Sequence, residues 1–234
     1  MQPPRPPILD PRAVPVAGHD GHLPAVPVAR LQPHALRQRF ASPPMWEPEK
    51  RGDGGLFPGY ERAEAAVLVP LIEREEGLSV LLTQRTAHLR AHAGHIAFPG
   101  GRADPGDADA ADTALRETEE EVGLPRAHIE VIGQLPVYRT VTFFDVTPVV
   151  GLVRPDFVLT LDAFEVAEAF EVPLAFLMSP ANHQRHVFEA TGQRREFLSM
   201  PWPRPQPDAS GHGDYFIWGA TAAMLRNFYR FLMA

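Results

Sequence analysis

Proline sets the first limit on this chain. Of its 26 prolines, 13 fall within the first 60 of 234 residues. Each fixes φ and removes a backbone donor, which excludes regular sheet or a long helix from that stretch. A short helix over residues 34–41, opened by Pro33, is the one element predicted there. The rest reads as an extended, partly ordered arm over residues 1–60, ahead of one domain over residues 61–234.

The pattern changes at Ala65. Apolar runs at residues 65–72 and 78–83, separated by a polar turn, predict a β-hairpin. A short strand over residues 95–98 ends at Pro99-Gly100-Gly101. An aspartate-rich loop follows, then a helix over residues 108–122, stopped by Gly123 and Pro125. Strands are predicted at residues 129–135, 141–153 and 187–197, and helices at residues 173–178 and 218–233. Residues 201–213 read as a second proline-rich loop. Strands and helices mix without β-α alternation, which predicts an α+β fold rather than a doubly wound sheet.

Composition narrows the function classes. With no cysteine, disulfides, thiolate metal sites and cysteine nucleophiles are excluded. The net charge is −7, so no broad basic face for nucleic acid is expected. No segment approaches the ~20 apolar residues of a membrane helix, and the opening MQPPRPPILD lacks the apolar core of a signal peptide. The expectation is a cytoplasmic protein with neither a nucleic-acid nor a membrane partner. A homodimer is allowed by the sequence and not specified by it.

Charge is segregated in the middle of the chain. Residues 77–103 contain no aspartate or glutamate but include Arg85, Arg90, Arg102, His88, His92 and His95. Residues 104–121 then hold Asp104, Asp107, Asp109, Asp112, Glu117, Glu119, Glu120 and Glu121 against Arg116 alone. Glu117, Glu120 and Glu121 are spaced i, i+3, i+4 on one helix face, where like charges weaken the helix. They also stand near its C-terminal end, where the macrodipole disfavours anions. Hard oxygen ligands of this kind suit Mg²⁺ or Mn²⁺. From the acids alone, a solvated helix face and a cation site stand level.

The segment Arg116-Glu117-Thr118-Glu119-Glu120-Glu121-Val122-Gly123-Leu124 resembles the second half of the Nudix box, and Gly100-Gly101 resembles the glycine that opens it. The loop between them is one residue longer than usual, its acid is Asp107, and Thr118 stands where an aliphatic residue is usual. A second element, LLTQRTAHLRAHAGHIAFPGG from Leu81 to Gly101, resembles the signature of the coenzyme A pyrophosphatase branch of that family. Thr86 there replaces the usual serine or alanine. The resemblance covers roughly residues 62–232 and leaves the arm outside.

The resemblance implies a Nudix fold, a mixed β-sheet between helices. It also implies Mg²⁺- or Mn²⁺-dependent hydrolysis of the coenzyme A diphosphate to 4′-phosphopantetheine and adenosine 3′,5′-bisphosphate. Glu117 and Glu121 are then the expected metal ligands, joined by Glu120 and the Gly101 carbonyl. Arg116 braces the glutamates. The proton acceptor is Glu165, Glu120 or Glu117. Arg85, Arg90 and Gly94 are expected on the substrate side, the arginines because guanidinium matches phosphate geometry. Two alternatives remain: the same chemistry on ADP-ribose, a dinucleotide or a nucleoside triphosphate, and a binding module without catalysis. Because every motif lies downstream of residue 60, a chain beginning near Glu61 is expected to keep metal-dependent hydrolysis, with some stability lost where residues 33–41 pack on the domain.

Overall fold

The computed structural model describes residues 10–53, 62–88, 94–190, 192–208 and 210–234. Within the proline-rich segment lie strand β1 (Val16–His19) and helix α1 (Pro33–Ala41), the latter with Pro33 in its first turn. Strands β2 (Ala63–Arg74) and β3 (Gly77–Arg85) form the expected hairpin, with Gly77 at φ +121 closing the turn. Short strands β4 (Ile96–Ala97) and β5 (Gly100–Arg102) lead to helix α2 (Ala110–Val122). Then come β6 (Ile129–Gln134), β7 (Tyr138–Arg139), β8 (Phe144–Val153) and β9 (Val166–Pro173). A one-turn helix α3 (Leu174–Leu177) precedes β10 (Gln184–Ala190), β11 (Gln193–Pro203), β12 (Asp214–Trp218) and the closing helix α4 (Gly219–Met233).

The larger sheet has eight strands in mixed orientation. Its centre is the parallel pair β2–β8, registered from Ala63↔Phe144 to Ile72↔Val153. Pro70 sits inside this central strand, where a missing donor normally breaks the ladder. The position tolerates it for a local reason. On the other edge of β2, β5 pairs with residues 65–67 and β3 with residues 71–74. The Leu68 N–H points to that edge, donating to the Pro99 carbonyl. Two residues on, Pro70 faces the gap between the two partners.

One face of this sheet packs on α2. Ala66, Leu68 and Val149 meet Ala114, while Ile72, Leu81, Val153 and Val166 meet Val122 and Leu124. The other face, with Val69, Leu71, Val80, Leu82 and Val172, joins the second sheet and α4 in one core. That second sheet is antiparallel, ordered β1-β10-β11-β12. The expected mixed sheet between helices is present, with a further four-stranded layer. No helix among the described residues is long and apolar enough to cross a membrane.

Three expectations are corrected. Regular sheet, excluded from the first 60 residues on their prolines, is present as β1, which fits between Pro15 and Pro24 and pairs antiparallel with β10. The single strand expected over residues 187–197 is a hairpin, closing at Ala190↔Gln193 with Gly192 at φ +72. Polar residues flank the reversal on both sides, Glu189 before it and residues 193–196 after it, so no break in an apolar run marks the turn and the glycine is its clearest signal. The loop expected from Pro201 begins later, because β11 runs to Pro203 and pairs with β12. Arg204 N–H donates to Gly213 O on the β12 side, so Pro201 and Pro203, offset by an odd number, present their missing donors to the free edge.

The proline-rich segment shares the main core. Val26, Leu31 and Leu36 are buried in the same cluster as Val69 and Phe228, and Leu36 has no exposed surface. Phe40 and Trp46 pack on Phe231 at ring separations of 4.7 and 5.3 Å. Polar groups lock the segment from the other side. Arg226 of α4 is fully buried, donates to Glu49 at 2.8 Å and lies 3.1 Å from Asp20. Arg185 of β10 reaches the same two acids at 2.7 Å (Asp20) and 3.2 Å (Glu49).

Candidate active site

Helix α2 carries the acidic face. Asp109 caps its N-terminus by accepting the Asp112 N–H at 2.9 Å. Gly123 ends it in the left-handed region at φ +68, where an added Cβ would lie 2.9 Å from Thr160. The helix turns Thr113, Ala114, Thr118, Glu121 and Val122 inward. Thr118, at the usual aliphatic position, is fully buried and donates its hydroxyl back to the Ala114 carbonyl at 2.6 Å. Its polar atom is thereby satisfied, so the departure from the motif costs the core little.

Glu121 is the most buried of the acids, 7% exposed. Its Oε2 accepts the Gly100 N–H at 3.1 Å, and its Oε1 lies 3.5 Å from the Arg85 guanidinium. Burial pushes its carboxyl up to about 7, against the pull of Gly100 and Arg85. Gly100 cannot be substituted freely: its φ is +150, and a Cβ would lie 2.4 Å from the Ala66 carbonyl. Burial also raises Glu117, with Arg116 opposing. The Glu117 carboxylate rests on Gly101, where an added Cβ would come within 2.4 Å of it. Glycine is required there for the backbone to approach the acid so closely.

Arg116 faces the acids and is held by them. Its guanidinium donates to Asp107 at 2.8 and 2.9 Å, to Glu117 at 2.9 Å, to Glu120 at 3.1 Å and to the Arg102 carbonyl at 3.2 Å. Asp107 also accepts from the Thr113 hydroxyl and the Asp104 N–H, and its carboxyl is held well below the ordinary range, chiefly by Arg116. The lengthened loop turns from Asp104 to Asp107, where the Asp107 N–H donates to the Asp104 carbonyl at 3.0 Å. Glu120 stands at the rim, its side chain 61% exposed.

The second wall is the end of β3. Arg85 spans from Glu121 to Glu165, which it meets at 3.3 Å. Glu165 lies far along the chain, and backbone bonds bring it here. Thr160 and Asp162 N–H groups donate to the carbonyls of Val122 and Glu121, and Thr86 N–H donates to the Glu165 carbonyl. The Thr86 hydroxyl adds a bond to the Phe164 carbonyl at 2.8 Å, so threonine at this position ties the two segments together. No side-chain pattern announces this tie; the hydroxyl one residue after Arg85 is its only trace in the sequence. Gly94, at φ +70, donates to the Arg85 carbonyl and shapes the turn that follows. Arg90 lies outside the described residues.

The carboxylates Glu117 and Glu121, the Gly101 backbone and the rim acid Glu120 make a donor set of hard oxygens. Among the described residues, no three histidine, aspartate or glutamate side chains are gathered into a ready cation cage. Arg85 and Arg116 supply the counter-charge instead. Two carboxyls raised by burial beside one another are stabilised as anions by a nearby dication, so the set fits a hard divalent ion. Two surface cavities, of about 460 Å³ around Phe170, Trp202 and Tyr215 and about 470 Å³ around Glu73, His128 and Arg154, contain none of these carboxylates.

Comparison with known proteins identifies the family. The chain matches the NUDIX domain family over residues 62–204. It is 43% identical over 164 residues to the uncharacterized Nudix hydrolase NudL of Escherichia coli strain K12, covering 70% of this chain and 79% of that one. The corresponding protein of Shigella boydii serotype 18 is 42% identical over the same shares. Among solved structures, the M. smegmatis Nudix hydrolase RenU aligns with a TM-score of 0.43 at 24% identity, over 50% of this chain and 73% of that one. A C. elegans Ap4A hydrolase binary complex aligns with a TM-score of 0.41 at 23% identity, over 51% and 85%.

Proposed function

The chain belongs to the NUDIX family, whose hydrolases act on phosphorus-containing anhydrides, and on that premise we propose that it splits the diphosphate of coenzyme A or its thioesters. The products are 4′-phosphopantetheine, or its acyl form, and adenosine 3′,5′-bisphosphate. The observation that carries the reading is Arg85. It ends β3, inside the acid-free stretch that resembles the coenzyme A branch, and its guanidinium stands against Glu121 and Glu165. A phosphate-matching cation is thus set beside the acids that a diphosphate must approach.

Nudix hydrolases generally use divalent cations, and Mg²⁺ or Mn²⁺ is proposed here. Such an ion, when bound, offsets the diphosphate charge and activates water for attack. Glu117, Glu121 and the Gly101 carbonyl are the groups that would hold it, with Glu120 at the rim. Arg116 keeps Glu117 and Glu120 in position through its bonds to both. Arg85 orients the diphosphate, and Arg90 is proposed as a further phosphate contact. Glu165, or Glu120 from the opposite wall, accepts the proton of the attacking water. One phosphorus gains the water oxygen, and the bridging oxygen leaves with the other phosphate.

Mass spectrometry of coenzyme A incubated with the protein and Mg²⁺ or Mn²⁺ tests this directly. The two phosphorylated halves are the expected products. Intact coenzyme A alongside rapid hydrolysis of ADP-ribose or a dinucleotide would move the protein to another substrate of the same chemistry. No turnover of any diphosphate would leave a binding module.

A further inference from the structure

Beside Glu165 the chain exposes an aromatic ring that the reaction as described does not use. Phe164 is 64% exposed. A lone exposed aromatic is ordinary on a protein surface, but three features separate this one. Its backbone is pinned on both sides, the N–H to Asp162 Oδ1 at 2.9 Å and the carbonyl to the Thr86 hydroxyl at 2.8 Å. The same turn delivers Glu165 to Arg85, so the ring is carried by the segment that builds the second wall of the site. And His88, also exposed, packs edge-on against it with ring centroids 4.9 Å apart. Fixed backbone and bare ring together describe a surface prepared for contact.

We propose that Phe164 and His88 form an aromatic shelf on which the purine base of the substrate stacks while its diphosphate lies at Arg85. This inference rests on the nucleotide reading above and adds what recognises the base. Every base offers a π face, so stacking on a ring selects for a nucleoside without reading its hydrogen-bond edges. The T-shaped contact with His88, ring planes at 60°, holds the tilt of a Phe164 ring that stays largely exposed. A substrate that combines a flat ring with a diphosphate matches a shelf and a guanidinium carried on adjoining segments.

The test uses the full-length protein and its Phe164→Ala and Phe164→Tyr variants. Calorimetric titration with adenosine 3′,5′-bisphosphate reads the base, titration with inorganic pyrophosphate reads the phosphates alone, and steady-state kinetics on coenzyme A and ADP-ribose follow. Loss of one stacking contact weakens binding about 10- to 100-fold. Phe164→Ala should show that loss for the bisphosphate and in KM, with kcat, pyrophosphate binding and Tm unchanged. Phe164→Tyr, which keeps the ring, should restore both. Equal weakening of pyrophosphate would make Phe164 a scaffold for Glu165 and overturn the shelf. Unchanged nucleotide binding and KM in an active protein would overturn the shelf alone. An unmodified protein that binds and hydrolyses no purine nucleotide would overturn the shelf and the functional reading together.

Discussion

The guanidinium of Arg116 meets the carboxylate of Asp107 in two parallel hydrogen bonds, Nε to Oδ1 at 2.8 Å and Nη2 to Oδ2 at 2.9 Å. This leaves Nη1 to reach Glu117 and Glu120. The aspartate in the lengthened loop therefore acts on the acidic face through the arginine.

Asp107→Asn tests that relationship. Asparagine keeps the shape but loses the charge and one acceptor, so the fork is no longer held on both prongs. Outer partners of metal ligands cost roughly 10- to 100-fold in metal affinity or activity when removed. We expect a loss of that order, expressed as a higher Mg²⁺ or Mn²⁺ requirement, with partial recovery by Asp107→Glu. An unchanged metal titration would make Asp107 a loop residue only.

Glu121→Gln separates the chemical role of the carboxylate from its packing. Glutamine fills the same space and can still accept the Gly100 N–H. Removing a buried charge whose carboxyl already sits near 7 should leave Tm unchanged or slightly raised. Turnover should fall more than roughly 100-fold, because charge stabilisation by a cation supplies several kcal/mol. Near-normal rates in that variant, or in the unmodified protein with excess EDTA, would refute the site.

How far these residues were readable in advance divides along the chain. The spacing of Glu117, Glu120 and Glu121 follows from helix geometry and was legible at once. So was the hairpin of β2 and β3, because apolar runs and the turn between them are local. Glu165 was legible only as a position downstream. Its approach to Arg85 depends on backbone bonds from residues 160–162 and Thr86, and no pattern in the side chains encodes those. How deeply the proline-rich arm packs was not legible, for a related reason. Proline bars long helices and leaves room only for the short ladder of β1 with β10, yet it does not stop Val26, Leu31 and Leu36 from filling a core built by distant strands.

The buried arm reverses the truncation expected from motif positions. A chain beginning near Glu61 loses Leu36, Phe40 and Trp46 from the face of α4, and strips Asp20 and Glu49 from the fully buried Arg226. An unpaired buried charge left behind costs about 3–5 kcal/mol. Leu36→Ala alone should cost about 2–5 kcal/mol. Since whole domains hold only about 5–15 kcal/mol, the truncated chain should not fold. Urea titration of both proteins checks this. A cooperative transition and metal-dependent hydrolysis in the truncated form would return the arm to a dispensable role.

Acid should act on the same buried cluster, in two steps. His183 accepts from the Arg226 guanidinium at Nδ1, 3.1 Å, and donates from Nε2 to the Leu177 carbonyl at 2.8 Å, the bonding of a neutral ring. Burial lowers its pKa from 6.5 to about 4, and the nearby Arg226 charge adds to this against the opposing pull of Asp20 and Glu49. Between those values the unfolded chain binds a proton that the folded one refuses, so stability falls as pH drops from 6.5 toward 4. Burial would raise Glu49, but hydrogen bonds and charge from Arg226 and Arg230 hold it down to about 2 against an ordinary 4.5. Its contribution is complete above 4.5 and is lost as pH falls toward 2. Glu121 works the other way: raised from 4.5 to about 7, it gains stability as pH falls from 7 toward 4.5 and offsets the His183 loss in the unmodified protein. His183→Gln, a neutral substitute, removes only the His183 loss, so its Tm should rise relative to the unmodified protein as pH drops from 6.5 toward 4.5, and both should fall together below 4.5 as Glu49 is protonated. A constant Tm difference between the two proteins from pH 6.5 to 4.5 would show that His183 does not contribute this loss.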